Sequence, residues 1–364
     1  MANENLGAAK AAKNDEFYTQ FQDIQMEIFA YLDRDPDVFR GKTVLLPCDD
    51  PEWSNFTKFF AQNFESLGLK KLISTSYAPN SKPKKLNIQP TLFEIESPQF
   101  DETKTASNGK IFTLERDTTG DNVINVEDLE WQYLEGDGDF RGDEVTALRD
   151  EADIIITNPP FSLFREFLEW ITTAGKQFVI LGNMNAITYK EVFPLIKDDK
   201  MWLGVTRTGV GSMWFEVADG APEKTGQIIE GGKRLQTIGN SAWFTNIDHG
   251  RRHEPLPLMT EADNIRFSKH KEIKGIGYQK YDNYDAIEVS FTDAIPADHK
   301  GVMGVPITFL GKYSPEQFEI VGASDNGAVP DSLKLPHFKK HNEPYIDGKK
   351  TYKRIFIRHR KAAK

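Results

Sequence analysis

The sequence predicts an α/β fold. A parallel sheet with helices on both faces is expected over residues 1–255, and a smaller, β-rich α+β domain over 256–364. Three observations predict it. In the first half, short apolar runs alternate with stretches of helical periodicity. Those runs lack in–out alternation, as expected of strands covered on both faces. After about residue 200 the texture changes to a series of β-rich segments.

The elements follow in chain order. Residues 1–14 are rich in Ala, Lys and Asn and read as a frayed end. In "DEFYTQFQDIQMEIFAYL" the spacing of Phe21, Ile24, Ile28 and Tyr31/Leu32 predicts a helix. "KTVLLPCDD" is a buried strand running into polar residues. "WSNFTKFFAQNFESLG" is its helix, with Phe56, Phe59, Phe60 and Phe64 on one side and Gly68 past the end. "KKLISTSY" is a second strand, "ADIIIT" a third with "LFREFLEWITTAG" as its helix, and "QFVILGN" a fourth. A polar insertion, about 82–135, interrupts the alternation. Its "DTTGDNVINVEDL" and "DGDFRGDE" stretches look faintly like calcium loops but lack the full oxygen-ligand spacing and closing Glu. Of the later segments, "SMWFEV" and "SAWFTNI" are expected to complete the sheet. "AIEVSF", "VPITFL", "FEIVGA" and "KRIFIRH" are expected to build the second domain.

Composition narrows the function classes. The 364 residues are 39% hydrophobic, enough for two cores, yet no apolar run approaches the length of a membrane span and no secretory leader is evident. A cytoplasmic protein without membrane contact is expected. One cysteine, Cys48, excludes a disulfide framework and a cysteine-rich zinc site, and no metal set is seen. A net charge of −10 argues against non-specific coating of nucleic acid. Charge is uneven, however: from Lys334 onward eleven Lys/Arg face two acids, with Tyr345, Tyr352 and Phe356 between them, which suggests a folded basic strand.

The chemistry concentrates at Asn158-Pro159-Pro160-Phe161, where the third strand ends. Ligands of open α/β sheets sit outside the carboxyl ends of the strands. Two prolines fix φ and freeze the corner, so its carbonyls keep one direction. A rigid carbonyl beside the Asn158 amide oxygen makes a pair of acceptors suited to an –NH₂ group, and Phe161 offers a flat face for a planar ring. A strand-ending turn with no further role is the alternative.

This corner resembles motif IV, [DNS]-P-P-[YFW], of the amino-methyltransferases that use S-adenosylmethionine, whose sheet is the Rossmann-like class I methyltransferase sheet. The resemblance implies that Asn158 and the Pro159 carbonyl accept from the target amine and that Phe161 stacks on the base. In "GDF" it implies that Asp139 accepts from the cofactor adenine and that Phe140 packs on it. In "DEFYTQ" it implies that Tyr18 and Thr19 close over the methionine end. Together with "CDDPEWSNF", "LGLKKLISTSY", "WFTNIDHGRR" and "GVMGVPITFLGKYSPEQFEIVG", these stretches are similar to the EcoRI-type adenine-specific DNA methyltransferases from about residue 14 to 360. The usual glycine-rich cofactor loop is missing, so Pro47, Asp49, Asp50 and Asn55 are expected to shape it. The ribose contact stays open between Asp49 and Asp50, for which helix N-capping is the alternative. Cys48 lies on the cofactor strand, away from a nucleophile's place.

Such an enzyme must flip its base out of the duplex, and the resemblance suggests Trp243 or Phe244 as a second stacking ring beside Phe161, a buried core Trp being the alternative. The basic stretches offer Arg251, Arg252, Lys269, Lys271, Lys339, Lys340, Arg358 and Arg360 as the candidate surface for double-stranded DNA, the last domain being the target-recognition domain. A monomer is expected. A cognate restriction endonuclease acting on the same site, not bound to the enzyme, is compatible with the family. The competing readings are transfer to cytosine N4, an RNA base or a protein glutamine, and a catalytically silent DNA-binding relative.

Overall fold

The computed structural model describes residues 17–49, 54–78, 97–206, 213–217, 226–237, 241–324, 328–335 and 342–361. The chain divides into two compact units. One comprises residues up to Asn183 together with Gly204–Ile247; the other comprises Met184–Leu203 and everything from Asp248. The segment 184–203, which the sequence places in the first domain, thus goes with the second unit.

In the first unit, β1 (Phe17–Thr19) precedes helix α1 (Phe21–Arg34), which buries Ile24, Ile28 and Tyr31 at its expected helical spacing. Then come β2 (Thr43–Leu46), α2 (Asn55–Gln62), β3 (Lys71–Ser76), β4 (Lys110–Leu114), β5 (Glu130–Tyr133), α3 (Asp143–Glu151), β6 (Ile154–Thr157), α4 (Phe164–Thr173) and β7 (Gln177–Asn183). After them lie β8 (Trp214–Val217), β9 (Ile228–Glu230), β10 (Lys233–Thr237) and β11 (Ser241–Thr245). The unit's large sheet runs β5-β4-β3-β2-β6-β7-β11. Its centre is parallel, with Val44 opposite both Leu72 and Ile154, and Ile156 opposite Val179. Antiparallel strands flank it on both sides. The sheet is therefore mixed.

The apolar runs explain the centre. Every residue of β2 and β6 is buried, the pattern of strands covered on both faces. The aromatic side of α2 supplies much of that cover: Phe59 packs edge-on to Phe60 at 5.2 Å and to Phe21 at 5.5 Å, and Phe56 to Trp243 at 6.0 Å. Each such pair adds about 0.5–1.5 kcal/mol beyond its buried area. Glu27 of α1 is fully buried and accepts from Tyr31 Oη (2.5 Å) and from the backbone N–H groups of Val205 and Thr206. Burial pushes its carboxyl pKa up.

Two expectations about the strands of the first unit need correction. "SMWFEV" does not complete the main sheet. Its β8 pairs with β1 and β10 in a separate four-stranded sheet, and its burial alternates, the mark of a sheet covered on one face only. The "insertion" in turn is not outside the sheet: β4 and β5 lie within it and extend β3 antiparallel to the edge. They escape notice because an edge strand such as β5 exposes alternate polar side chains. In the calcium-like stretch, Asp128 accepts from the N–H groups of Asn125, Thr118 and Thr119, and Asp117 from Gly120 and Asn122. These carboxylates brace a turn. Among the described residues no cluster of three or more His, Cys, Asp or Glu could hold a metal ion.

The second unit carries helix α5 (Glu261–Phe267) and the strands β12 (Ala286–Glu288), β13 (Val302–Val305), β14 (Phe318–Ala323) and β15 (Ile355–His359), in sheet order β12-β13-β15-β14. "VPITFL" is not a strand: Pro306 ends β13 and a 3-10 turn, Ile307–Lys312, follows. Arg354 and Glu288, both nearly buried, form a multidentate pair, with Arg354 Nε 3.0 Å from each carboxylate oxygen and Tyr281 Oη also on Glu288.

His249 is 3% exposed and its Nε2 donates to Leu203 O at 2.9 Å. Burial lowers its pKa from 6.5 to about 4. Between those values an unfolded chain binds a proton that the folded chain refuses, so stability rises with pH and falls as pH drops from 6.5 toward 4. Urea unfolding at pH 7.5 and pH 5 is expected to show roughly 2 kcal/mol of extra loss in the parent relative to His249→Gln. Equal losses in the two proteins would reject this role.

Candidate active site

The large sheet reverses strand order between β2 and β6, since β2 leads to β3 on one side and β6 to β7 on the other. The crevice outside the carboxyl ends at that point is where α/β sheets bind ligands. Both expected motifs end there: β2 runs into Pro47-Cys48-Asp49, and β6 into Asn158.

A web of buried oxygens ties these ends together. Thr157 Oγ1 lies 2.5 Å from both Pro47 O and Asp49 Oδ2, one hydroxyl proton serving the two acceptors. Asp49 Oδ1 accepts from Ser54 Oγ at 2.8 Å, and Ser54 caps α2 by accepting from Phe56 N. Asp49 O accepts from Ser74 Oγ, in the second half of β3. Asp49 is only 7% exposed, so its carboxylate serves the loop itself. The cap of α2 is Ser54, which Asp49 orients. Cys48 holds φ +71°, the left-handed conformation that the missing glycine loop would have supplied. Asp50 lies outside the described residues.

Asn55, first in α2, donates from Nδ2 to Thr19 O at 2.7 Å and so joins two of the expected cofactor residues. Thr19 Oγ1 and Gln20 Nε2 are buried polar atoms without a hydrogen-bond partner among the described residues. Buried polar atoms of this kind are a donor and an acceptor that a bound ligand could engage. Tyr18 beside them is half-buried.

Past the end of β3, the loop 137–142 is held tightly against that strand. Ala78 N donates to Asp137 O (2.7 Å), and a Cβ at Gly138 would stand 2.3 Å from Ser76 O. Asp139 follows at once, its side chain 20% exposed and gripped by Arg141. Phe140 requires correction. It is 3% exposed, with Phe167 at 5.0 Å and Trp170 at 5.6 Å, so it anchors the loop in the core instead of offering a face to adenine.

At the corner, Pro160 O accepts from Leu163 N (2.8 Å), closing a 3-10 turn, Phe161–Leu163, that leads into α4. Asn158, Pro160 and Phe161 are half-buried and Pro159 is buried. Trp243 and Phe244 cannot stack on a base, because both are fully buried. Trp243 meets Phe56, and Phe244 meets Phe164 at 5.1 Å, since β11 is covered on both faces.

The basic residues divide. Arg252 is nearly buried, paired with Asp199 and 3.7 Å above the Trp202 ring, and is therefore a structural cation. Arg251 is half-buried. Lys269, 75% exposed, pairs with Asp293 at 2.7 Å, Arg358 pairs with Glu319 at 2.7 Å, and Arg360 Nε donates to Pro315 O. Lys271 is exposed, and Lys339 and Lys340 lie outside the described residues. Sequence reasoning missed Ser54, Thr157 and Arg141. Only Ser54 carried a readable signal, a Ser directly before the first helical residue.

A family model described as "Adenine-specific methyltransferase EcoRI" matches residues 5–360. The chain is 39% identical to the Type II methyltransferase M.EcoRI of Escherichia coli over 368 residues, which cover all of this chain and 98% of the relative. It is 35% identical to the Type II methyltransferase M.MpnI of Mycoplasma pneumoniae, with 97% of each chain covered. It is 34% identical to M.MgeORF184P of Mycoplasma genitalium, with 97% of this chain and 98% of the relative covered. No solved structure matches the chain.

Proposed function

The chain belongs to the EcoRI family of adenine-specific methyltransferases, and from that premise we propose that its Asn158–Phe161 corner methylates the exocyclic N6 amine of an adenine flipped from duplex DNA at a specific sequence. It is an enzyme, and its methyl donor is S-adenosylmethionine. Bound, that donor supplies a methyl group on a sulfonium, an electrophile that needs no metal. Asn158 Oδ1 and the Pro159 carbonyl accept from the target amine, drawing its nitrogen toward a tetrahedral shape whose lone pair faces the methyl. Phe161 stacks on the extruded base, alone of the three rings expected there. Asp139 accepts from the cofactor adenine amine, Thr19 and Gln20 meet its methionine end, and Pro47, Cys48 and Asp49 form the floor that Asn55 and Thr157 brace. The observation that carries this reading is the position of Asn158, half-buried behind a proline-held turn at the sheet's reversal point.

The first unit then corresponds to the Rossmann-like class I catalytic domain and the second to the target-recognition domain, with Lys269, Lys271, Arg358 and Arg360 toward the phosphates. A monomeric, cytoplasmic enzyme of a restriction–modification pair, whose endonuclease shares the site without binding it, fits this reading. Among the described residues no helix is long and apolar enough to cross a membrane. Long-read sequencing of DNA from cells expressing the protein is expected to show N6-methyladenine at one short motif. Methylcytosine at that motif, or unmodified DNA, would reject the proposal.

A further inference from the structure

We infer that Arg141 is a positioning residue: it fixes the plane of the Asp139 carboxylate so that this carboxylate reads the adenine amine of the cofactor. The inference rests on the proposed role of Asp139 and adds the group that gives that role its geometry.

A lone aspartate in a surface loop has two side-chain torsions to spend and a broad, two-fold preference at the second. Asp139 has lost that freedom. Arg141 Nε donates to Oδ1 at 2.9 Å, Arg141 Nη2 donates to Oδ2 at 2.6 Å, and the Arg141 backbone N–H donates to Oδ1 at 2.9 Å. Two parallel N–H···O bonds from a planar fork define a plane as well as a distance. The backbone on either side is pinned too, with Asp139 N donating to Asp137 Oδ1 (3.1 Å) and Gly142 N to Asp139 O (2.9 Å).

The guanidinium is itself oriented from two directions. It lies over the buried Phe140 ring, 5.4 Å from the centroid. Its Nη1 reaches Glu166 Oε2 at 3.2 Å, in the first turn of α4 just past the Asn158–Phe161 corner. Arg141 and Glu166 are about half exposed, so that bridge is weak in energy and acts as a guide. The Arg141–Asp139 pair is the working contact, within the loop that would hold the cofactor's base, and the Arg141–Glu166 bridge ties that loop to the helix that follows the catalytic corner. Lysine would keep the charge but not the fork.

The test measures binding of two product analogues by calorimetry. S-adenosylhomocysteine carries the N6 amine; S-inosylhomocysteine carries a carbonyl oxygen in its place, an acceptor facing a carboxylate. The parent is expected to prefer the adenosyl compound by about 100-fold, the scale of a hydrogen bond to a charged group. Arg141→Met is expected to cut that preference to a few-fold, chiefly by weakening the adenosyl compound, with the melting temperature close to the parent's. Arg141→Lys should fall between, and Glu166→Gln should lose least. If Arg141→Met weakens both analogues equally, or leaves the preference intact while Asp139→Ala abolishes it, Arg141 has no positioning role and the reading of Asp139 survives. If Asp139→Ala keeps the preference, Asp139 is not the reader and both statements fall.

Discussion

Asn158→Ala is expected to slow methyl transfer by about 10²–10³-fold while leaving affinity for DNA and for S-adenosylhomocysteine within about threefold of the parent. An exocyclic amine conjugated to a purine ring has its lone pair delocalised, and it becomes a nucleophile only as the nitrogen turns tetrahedral. An acceptor held where the N–H bonds point in that geometry stabilises the transition state more than the ground state, which lowers the barrier without tightening binding. The corner is built for such fixity. Two prolines set φ, Pro160 O closes the turn onto Leu163 N, and Thr157 immediately before Asn158 is tied to Pro47 and Asp49. Asn158→Asp keeps an acceptor oxygen and should recover part of the rate. Single-turnover transfer of a radiolabelled methyl group to duplex DNA, read beside a filter-binding titration, separates the two effects. Parent-like turnover in Asn158→Ala would remove this residue from the chemistry.

What could be read from the sequence divides along a physical line. The parallel centre was legible because a strand buried on both faces must be apolar throughout, so "TVLL" and "IIIT" announce themselves. Strands with one open face carry weaker marks: β5, with Trp131 buried between exposed Glu130 and Gln132, reads as polar chain. That β11 joins the main sheet and β8 does not depends on pairing with β7 across some sixty residues, which local pattern does not encode. Site residues divided in the same way. Asn158 was legible because its neighbours are two prolines, whose stiffness is local. The partners of Asp49 and Arg252 were not legible because a charge in the sequence shows nothing of the Thr157 hydroxyl or the Trp202 face that it meets after folding. Trp243 and Phe244 misled for a related reason: an aromatic can stack on a base or fill a core, and only burial distinguishes the two. The absent glycine loop concealed Cys48, a residue not expected at positive φ.

Gly138→Ala should abolish most cofactor binding without unfolding the protein. Gly138 sits at φ +82°, where any side chain is strained by about 1–2 kcal/mol. Space is the harder limit. An added Cβ would stand 2.3 Å from Ser76 O, a backbone atom at the end of β3 where that strand pairs with Lys110 of β4. Neither the strand nor its carbonyl can yield, so the loop must lift. Lifting breaks the Ala78 N to Asp137 O bond at 2.7 Å and carries Asp139, one residue on, away from its place. Gly109 stands on the other side of the same contact, where a Cβ would lie 2.7 Å from both Ser76 O and Gly138 Cα, so Gly109→Ala should produce the same defect by a different route. Strain, overlap and one lost hydrogen bond together come to roughly 2–4 kcal/mol. That corresponds to a rise of about 30- to 1,000-fold in the dissociation constant of S-adenosylhomocysteine. The cores lie elsewhere, on α2 and the central strands, so the melting temperature should drop only a few degrees. Calorimetric titration of both variants, paired with thermal melts, decides the matter: parent-like affinity in Gly138→Ala would mean that the 137–142 loop does not form part of the cofactor site.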